Sequence, residues 1–438
     1  MKAHVVNAVL SVVLTFAGAS AMAQAGSLDP AFGNRGIVVT SFGPLGNFFE
    51  TNDFSFSDAA LAPNGDIVVA GSVTAIDNQQ ETAVIVRYLP NGELDNTFGT
   101  NGVVTLPAPV SFSSPSSFIL SMTVQPNGKI LTLFAATSNT GTQSETVLLR
   151  LNLNGQPDTS FGTEGQISIA FPEQAPLLVS PNIVLAQPDG KILVGGAGTP
   201  PFRSTAPTET ILARYLSNGT PDTTFGRNGF SISISIGLPT ALALLSGDGV
   251  LAGNSVGQVA QFSAAGSLVG TPTGGAVIAT KNTGVSAFES NGSYLIAGTT
   301  GGPDGRRNID ARIVRFLDSG AVDQTFSSPA ISFGTNGPLM KSEPAGIAVD
   351  SNGKVTTGGI FITPANGVFG LARVNPTGAV DTTFGSNGAV NTQVALEGSV
   401  FAVLVQPDNK IIAIGEAQVS KSFPGTTEGL GIARYLAK

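Results

Sequence analysis

The stretch SNGTPDTTFGRNG, residues 217–229, recurs along the chain and decides how the rest is interpreted. Successive copies of its Phe are 66, 63, 64, 101 and 58 positions apart, and a repeat of this length is typical of solenoids and propellers. Because 101 suits two units better than one, we predict a degenerate unit around 241–280, where QVAQFSAAGSLV (258–269) replaces the motif. The six clear copies lie at Asp29 and Phe32, Asp95 and Phe98, Asp158 and Phe161, Asp222 and Phe225, Asp323 and Phe326, and Asp381 and Phe384.

Each unit carries signals for four short strands. In NIVLAQPDGKILVGGA (182–197), two alternating apolar runs flank Pro-Asp-Gly, which is a strong hairpin signal. A polar loop leads to a third run, ETILARYL (209–216), and Ser-Asn-Gly then turns the chain into a fourth strand through Asp222 and Phe225 to Phe230 and Ile236. Seven hairpins of the first kind begin at Ala62, Gln125, Gln187, Leu245, Glu289, Asp350 and Gln406.

Seven four-stranded antiparallel units predict an all-β fold, a seven-bladed β-propeller. A β-solenoid is the rival architecture, but its coils are shorter. The chain stops at ARYLAK (433–438) directly after a third strand, whereas residues 25–29 open a fourth strand that lacks partners. We therefore expect an N-terminal outer strand, Gly36 to Thr40, to complete the last blade and bring Asp29 to Arg434.

The first 23 residues have the pattern of a cleaved secretion signal. Lys2 and His4 precede an apolar run over residues 5–17, and Ala21 and Ala23 supply the small residues of a cleavage site. Cleavage after Ala23 predicts a secreted or periplasmic protein whose residues 24–438 form one propeller domain. No later stretch is apolar and long enough to predict a membrane span.

Composition excludes several classes of chemistry. The sequence has no Cys and no Trp, and its one His lies in the predicted signal. Thiol nucleophiles and imidazole-based catalysis are therefore excluded from the remaining chain, and no cofactor or metal site is predicted. A formal net charge of −8 argues against nucleic-acid binding.

An Arg stands eight residues before five of the repeated Asp residues, which places the two side chains opposite each other across the intervening turn. The degenerate unit has Gln261 and Val269 instead, so both partners are lost together. We interpret the pairs as structural, because carboxylates spread around a ring cannot serve one catalytic site. With the closing pair, they are Arg87 and Asp95, Arg150 and Asp158, Arg214 and Asp222, Arg315 and Asp323, Arg373 and Asp381, and Arg434 and Asp29.

The wording RYxxxGxxDxxFGxxG resembles that of the delta-60 repeat family over essentially the whole chain after the signal. The resemblance implies a secreted or envelope-associated β-propeller whose biochemical role is not established. The chain departs from the pattern around Gln261 and at Phe326, where the usual FGxNG appears late, at residues 333–337.

The long connections between strands differ in length and composition, as binding loops on a rigid frame do. Their most distinctive side chains are the candidate binding residues, although a loop that merely covers the barrel end would also explain the Phe cluster. These candidates are Phe48, Phe49, Asp53, Phe54 and Phe56 in one connection, and Asp304, Arg306 and Arg307 in another.

We therefore expect a non-catalytic binding or scaffold propeller, with a protein or glycan partner on the face of the long connections. The alternative is a propeller hydrolase or lactonase that uses Asp, Glu and Asn, as carboxylates or metal ligands, at the channel mouth. The inner strands LSMTVQP, IVLAQP, ALALLSG and FAVLVQP carry no acidic residue, which favours binding over catalysis.

Overall fold

The computed structural model of the protein describes the greater part of the chain after Gln24, and the predicted signal at residues 1–23 lies outside it. The described ranges are 24–42, 52–75, 81–106, 116–137, 144–169, 171, 178–199, 207–254, 258–271, 285–289, 293–300, 310–317, 319, 321–333, 342–362, 367–420 and 427–438.

Within these ranges the regular structure consists of 27 strands. In chain order they are β1 (Ile37–Thr40), β2 (Asn52–Leu61), β3 (Ile67–Ala75), β4 (Glu81–Tyr88), β5 (Val103–Thr105), β6 (Ser116–Val124), β7 (Ile130–Thr137), β8 (Ser144–Leu151), β9 (Gln166–Ser168), β10 (Leu178–Ala186), β11 (Ile192–Thr199), β12 (Glu209–Tyr215), β13 (Phe230–Ser233), β14 (Ala241–Leu244), β15 (Val250–Gly253), β16 (Val259–Phe262), β17 (Leu268–Gly270), β18 (Val285–Phe288), β19 (Tyr294–Thr300), β20 (Asp310–Phe316), β21 (Ser342–Val349), β22 (Val355–Ile362), β23 (Gly367–Val374), β24 (Ala389–Thr392), β25 (Glu397–Val405), β26 (Ile411–Ser420) and β27 (Thr427–Tyr435).

The strands form seven antiparallel sheets, each a blade built from neighbours in the sequence. Blade 1 is β2–β5, blade 2 is β6–β9, blade 3 is β10–β13, blade 4 is β14–β17, blade 5 is β18–β20, blade 6 is β21–β24, and blade 7 is β25–β27 with β1. The predicted all-β propeller fold is confirmed. The core lies between blades, as where Ile85 and Phe98 of blade 1 pack with Ile119 and Phe134 of blade 2.

The degenerate unit, blade 4, keeps four short strands, and blade 5 has three among the described residues. In blade 5 a single bridge between Ala311 and Ile331 stands at the outer position, where the chain is inserted before Phe333. One detail of the predicted blade is wrong. The fourth strand of a typical blade begins later than predicted, because residues 222–229 form turns and β13 starts at Phe230.

The glycine after the repeated Phe explains this delay. Gly226 has a φ of +54°, in the left-handed region, and a Cβ there would collide with the carbonyl oxygen of Phe230. Only glycine adopts this close turn without steric cost. The motif therefore forms a compact corner before the outer strand instead of running straight into it.

The ring closes through the two ends of the chain, as the sequence predicted. Strand β1 pairs antiparallel with β27, with Ile37 opposite Ala433 and Thr40 opposite Leu430. Arg373 donates to the carbonyl of Ala437, and the amide of Gly385 donates to Ala25. At the junction between blades 2 and 3, the two acceptors are consecutive residues of one turn, Ser217 and Asn218. At the closing junction Ala437 and Ala25 take these two places, so residues from both ends of the chain form the equivalent turn.

Candidate functional site: the central channel

The repeated Arg joins each blade to the next, and this contact is called the clasp below. In blade 2, Arg150 Nε lies 2.6 Å from Asp158 Oδ2, and the Arg150 guanidinium carbon lies 4.6 Å from the centre of the Phe161 ring. The same guanidinium donates to the carbonyl of Ser217 in blade 3. One side chain therefore combines an ion pair, a cation–π contact and a hydrogen bond across the junction.

All six Arg–Asp pairs named from the sequence lie within hydrogen-bonding distance. The shortest nitrogen–oxygen distances are 2.6 Å for Arg87–Asp95 and Arg150–Asp158, 2.7 Å for Arg315–Asp323, 2.8 Å for Arg214–Asp222, and 2.9 Å for both Arg373–Asp381 and Arg434–Asp29.

The Phe and the turn glycine of neighbouring blades fit each other. A Cβ on Gly219 would lie 3.0 Å from the Phe161 ring, and a Cβ on Gly155 would lie 3.1 Å from the Phe98 ring. Blade 4 has Gln261 and Val269 at the clasp positions. The junction between blades 4 and 5 therefore has no clasp of this kind.

The clasp carboxylates are held in the ionised form. At Asp381, burial raises the pKa, but hydrogen bonds from Lys354 and Thr383 and the charge of Arg373 outweigh burial and lower the pKa to about 2. The pKa of Asp95 is likewise lowered, because the hydrogen bonds of Thr97 and Arg87 outweigh the effect of burial. These carboxylates therefore stay ionised and paired within their blades.

The inner strands of five blades share a β-bulge at the same position. In each, one extra residue interrupts pairing with the second strand, five positions before the hairpin turn. A bulge redirects its side chain away from the regular pleat, and such features often stand beside functional sites. The extra residues are Ser57, Leu120, Asn182, Ala345 and Phe401, and Thr240 occupies the corresponding place in blade 4.

These six residues line a central cavity of about 500 Å³. They are called the channel ring below. The polar lining side chains, Ser57, Asp58, Ser121, Asn182 and Thr240, all belong to blades 1–4. The lining of blades 6 and 7 is entirely apolar and includes Ile347, Phe401 and Val403. One side of the channel therefore mixes polar and apolar side chains, and the other side is apolar.

Asp58 is the one carboxylate among the described lining residues. Its Oδ2 accepts a hydrogen bond of 2.8 Å from the amide of Met122 and one of 3.3 Å from Ser121 Oγ, and its Oδ1 accepts one of 2.8 Å from the amide of Ala59. Burial raises the pKa of Asp58 to about 6, although these hydrogen bonds oppose the rise. At neutral pH the group is mostly ionised.

Aromatic rings line another part of the same cavity, toward blade 7. Phe56 stacks on Phe401 with 5.8 Å between ring centres and 21° between planes, and both rings line the cavity. On the polar side, Asn182 donates its amide to the carbonyl of Pro239, and its own Oδ1 has no partner among the described residues. The site thus offers hydrogen-bond acceptors opposite apolar and aromatic surface.

The structure places only part of the predicted loop candidates. Phe56 lies in the channel lining, and Asp53 lies in β2. Phe48, Phe49, Asp304, Arg306 and Arg307 lie outside the described residues.

Phe54 belongs to the core and not to a binding loop. Its side chain is 2% exposed and stacks on Phe42 at 4.8 Å between ring centres. The alternation of Phe54, Ser55, Phe56 and Ser57 is the period of a half-buried strand, and β2 begins at Asn52. The prediction that Phe54 belongs to a long connection is therefore wrong.

Asp58 and the channel ring were missed from the sequence. The inner strands LSMTVQP, IVLAQP, ALALLSG and FAVLVQP carry no acidic residue, but β2, the inner strand of blade 1, carries Asp58. A signal for the bulges was present, because glycines such as Gly71, Gly196 and Gly359 stand opposite or beside them in the second strands. A glycine inside a strand often marks a bulge.

The described part of the chain contains no group of three or more His, Cys, Asp or Glu side chains placed to hold a metal ion. Nor does it contain a helix with the length and hydropathy that a bilayer crossing requires.

The shifted pKa of Asp58 predicts a pH effect on stability. Between about pH 4 and pH 6 the unfolded chain has lost the proton that folded Asp58 still holds, because 3.8 is the ordinary pKa and about 6 the folded one. Asp58 therefore removes up to about 3 kcal/mol of stability as the pH rises through this range. We expect Asp58→Asn to gain that amount relative to the parent between pH 4 and pH 6.5, measured by urea unfolding.

The control for this measurement is Asp248→Asn, the same change at an exposed turn residue with a φ of +63° that Asn also tolerates. This variant should stay within about 0.5 kcal/mol of the parent. Parallel stability curves for the parent and Asp58→Asn would contradict the raised pKa.

The chain is similar to one known repeat family in four segments. Residues 62–98, 125–161, 187–225 and 351–384 match the family described as "Domain of unknown function (DUF5122) beta-propeller". The match supports a β-propeller repeat protein. No curated protein matches the chain.

Similar solved structures include propellers of several kinds. "YCF48 bound to D1 peptide" is 12% identical over 94% of this chain and 100% of that one, with a TM-score of 0.44. An α-L-arabinanase of Penicillium chrysogenum complexed with arabinobiose is 12% identical over 87% and 97%, with a TM-score of 0.39. The β-propeller domain of the Trilobed protease from Pyrococcus furiosus is 8% identical over 89% and 95%, with a TM-score of 0.45. Likeness at this level carries no argument about activity.

Proposed function

We propose that this β-propeller is an exported, non-catalytic binding or scaffold protein. Its protein or glycan partner meets the face of the long connections and reaches into the central channel. The signal-like residues 1–23 support export to the periplasm or the exterior. The narrower resemblance to the delta-60 repeats agrees with this proposal.

The observation that carries the proposal is a contrast between two sets of equivalent positions. The clasp repeats the same Arg, Asp and Phe in six blades, whereas the channel ring has Ser57, Leu120, Asn182, Thr240, Ala345 and Phe401. In a chain built from repeats, a residue that each unit needs for folding stays the same. Positions that together form one asymmetric site must differ, as the channel ring does.

The charged groups of the framework also support binding over catalysis. Each clasp carboxylate is neutralised by Arg and hydrogen-bonded within its own blade, as Asp222 is by Arg214 and Thr224. Such groups have no free role in acid–base chemistry. The channel itself offers shape, hydrogen-bond acceptors and apolar surface, which are the usual means of ligand recognition.

The hydrolase alternative has one specific observation in its favour. A carboxyl group with a pKa of about 6, such as that of Asp58, suits a general acid near neutral pH. If the alternative holds, Asp58→Asn abolishes turnover of a glycan or lactone substrate. Under the binding proposal there is no turnover to lose.

The proposal is tested with two variants that each carry three substitutions to Ala. The channel variant carries Asn182→Ala, Thr240→Ala and Phe401→Ala, and the turn variant carries Asn91→Ala, Asn154→Ala and Asn218→Ala on the opposite face. Both are checked by circular dichroism and screened with the parent on glycan and peptide arrays. We expect array ligands of the parent to be lost only by the channel variant.

Loss of those ligands by the turn variant alone would move the functional surface to the other face. A parent that binds no glycan and no peptide on the arrays would contradict the proposal.

A further inference from the structure

We propose that the central channel binds an organic cation, that is, an ammonium or guanidinium group carried on an apolar body. This inference rests on the proposed binding function and names the ligand class of the same site.

The first argument is an unbalanced charge. None of the described lining residues is Lys or Arg, and the partners of Asp58 among the described residues are uncharged donors. Every clasp carboxylate, by contrast, has an Arg partner. A carboxylate has about four lone-pair positions, and the amides of Met122 and Ala59 and the hydroxyl of Ser121 occupy three. One acceptor position and the negative charge remain for a ligand.

The same cavity also offers aromatic surface. The stacked rings of Phe56 and Phe401 line it from blades 1 and 7, whereas the carboxylate of Asp58 is turned toward blade 2, where it accepts hydrogen bonds from Met122 and Ser121. A carboxylate favours a charged donor, and aromatic rings favour an apolar or aromatic body. Together they favour a cation on an apolar body over a neutral group of the same shape.

The lining is divided between a side that holds all the polar groups and a side that is apolar. Acceptors such as Asn182 Oδ1 stand on the side of blades 1–4, and Ile347 and Val403 form the apolar side. A ligand that fills the cavity therefore needs one polar, positively charged end and one apolar end. An anion would meet Asp58 without any compensating cation among the described lining residues.

The test uses three probes of nearly identical shape and different charge. Benzamidinium is the cation, benzamide the neutral isostere and benzoate the anion. Affinity for the parent is measured by isothermal titration at neutral pH, where Asp58 is ionised. We expect benzamidinium to bind about tenfold or more tightly than benzamide, the effect of one charge-assisted hydrogen bond. Benzoate should bind most weakly.

Variants locate the cation. Asp58→Asn should remove the preference for benzamidinium over benzamide, Phe401→Ala should weaken both probes, and Asp248→Asn at an exposed turn should change neither. The comparison among probes on the parent needs no variant, so it stands even if Asp58→Asn does not fold. Equal binding of benzamidinium and benzamide, or a preference that survives Asp58→Asn, would overturn the inference.

A peptide comparison identifies the source of the cation. Binding of the neutral and anionic probes separates the cation proposal from the broader binding function. The peptide acetyl-Gly-Arg-Gly-amide is compared with its neutral citrulline form. Preference for the Arg peptide identifies a protein side chain as the source, whereas preference for benzamidinium alone identifies a free cation. Channel binding of benzamide or benzoate without cation preference leaves the binding function standing and rejects the cation.

Discussion

We expect Arg87→Met to lower the free energy of unfolding by about 3–5 kcal/mol, the usual cost of removing one partner from a buried ion pair. Arg87 is 8% exposed and lies 2.6 Å from Asp95 and 3.7 Å from Asp66. It also stands 4.5 Å from the centre of the Phe98 ring and donates to the carbonyl of Leu153 in blade 2. The variant leaves two buried carboxylates without their cation and opens one junction of the ring.

The chain supplies its own control for this prediction. Gln261 occupies the equivalent position in blade 4, where no clasp exists, so Gln261→Met should change the unfolding free energy by less than about 1 kcal/mol. Both variants are measured by guanidinium unfolding followed by circular dichroism. If Arg87→Met and Gln261→Met cost the same, the clasp does not stabilise the ring.

The second large effect concerns ring closure. Removing residues 24–40 takes away β1, the Asp29 partner of Arg434 and the fully buried ring of Phe32. Loss of a buried Phe alone costs about 3–5 kcal/mol, so we expect the truncated chain to lose at least that much stability. Thermal unfolding of the whole ring should shift, because blades stabilise one another through their junctions.

A circular permutant separates closure from chain length. Ala437 and Ala25 accept the two hydrogen bonds that Ser217 and Asn218 accept in a continuous turn. Joining Ala437 directly to Ala25, and starting the chain at residue 41, should therefore recreate that turn and restore the parent's unfolding temperature. A permutant as unstable as the truncated chain would show that the N-terminal segment does not close the ring.

The repeat carried most of the information about the fold. The hairpin signals predicted the blades, and the unmatched ends predicted closure by residues 36–40, because both depend on residues near in sequence or on a missing partner. The single outer bridge of blade 5, between Ala311 and Ile331, could not be predicted, since the insertion before Phe333 leaves the apolar pattern intact. Residues 222–229 form turns instead of the predicted strand, although Phe and Thr favour strands, because the left-handed Gly226 bends the chain there.

The residues that line the channel were much harder to predict from the sequence than the strands and the clasp. Its lining comes from six separate blades, and one-residue bulges bring Ser57, Asn182 and Phe401 to it. Glycines in the second strands mark some of these bulges, but they do not show which side chains meet in the channel. The loop interpretation of Phe54 and Phe56 overlooked their alternation with Ser55 and Ser57. Local pattern thus predicted the strands, whereas the site depends on where distant strands meet.

The most direct test of the channel as the binding site is crystallography of the parent protein soaked separately with benzamidinium, benzamide and benzoate. We expect ordered density for benzamidinium inside the channel ring, with its charged end at Asp58. A channel that stays empty with all three probes, or density only at the tight turns around Asn91 and Asn218, would contradict it.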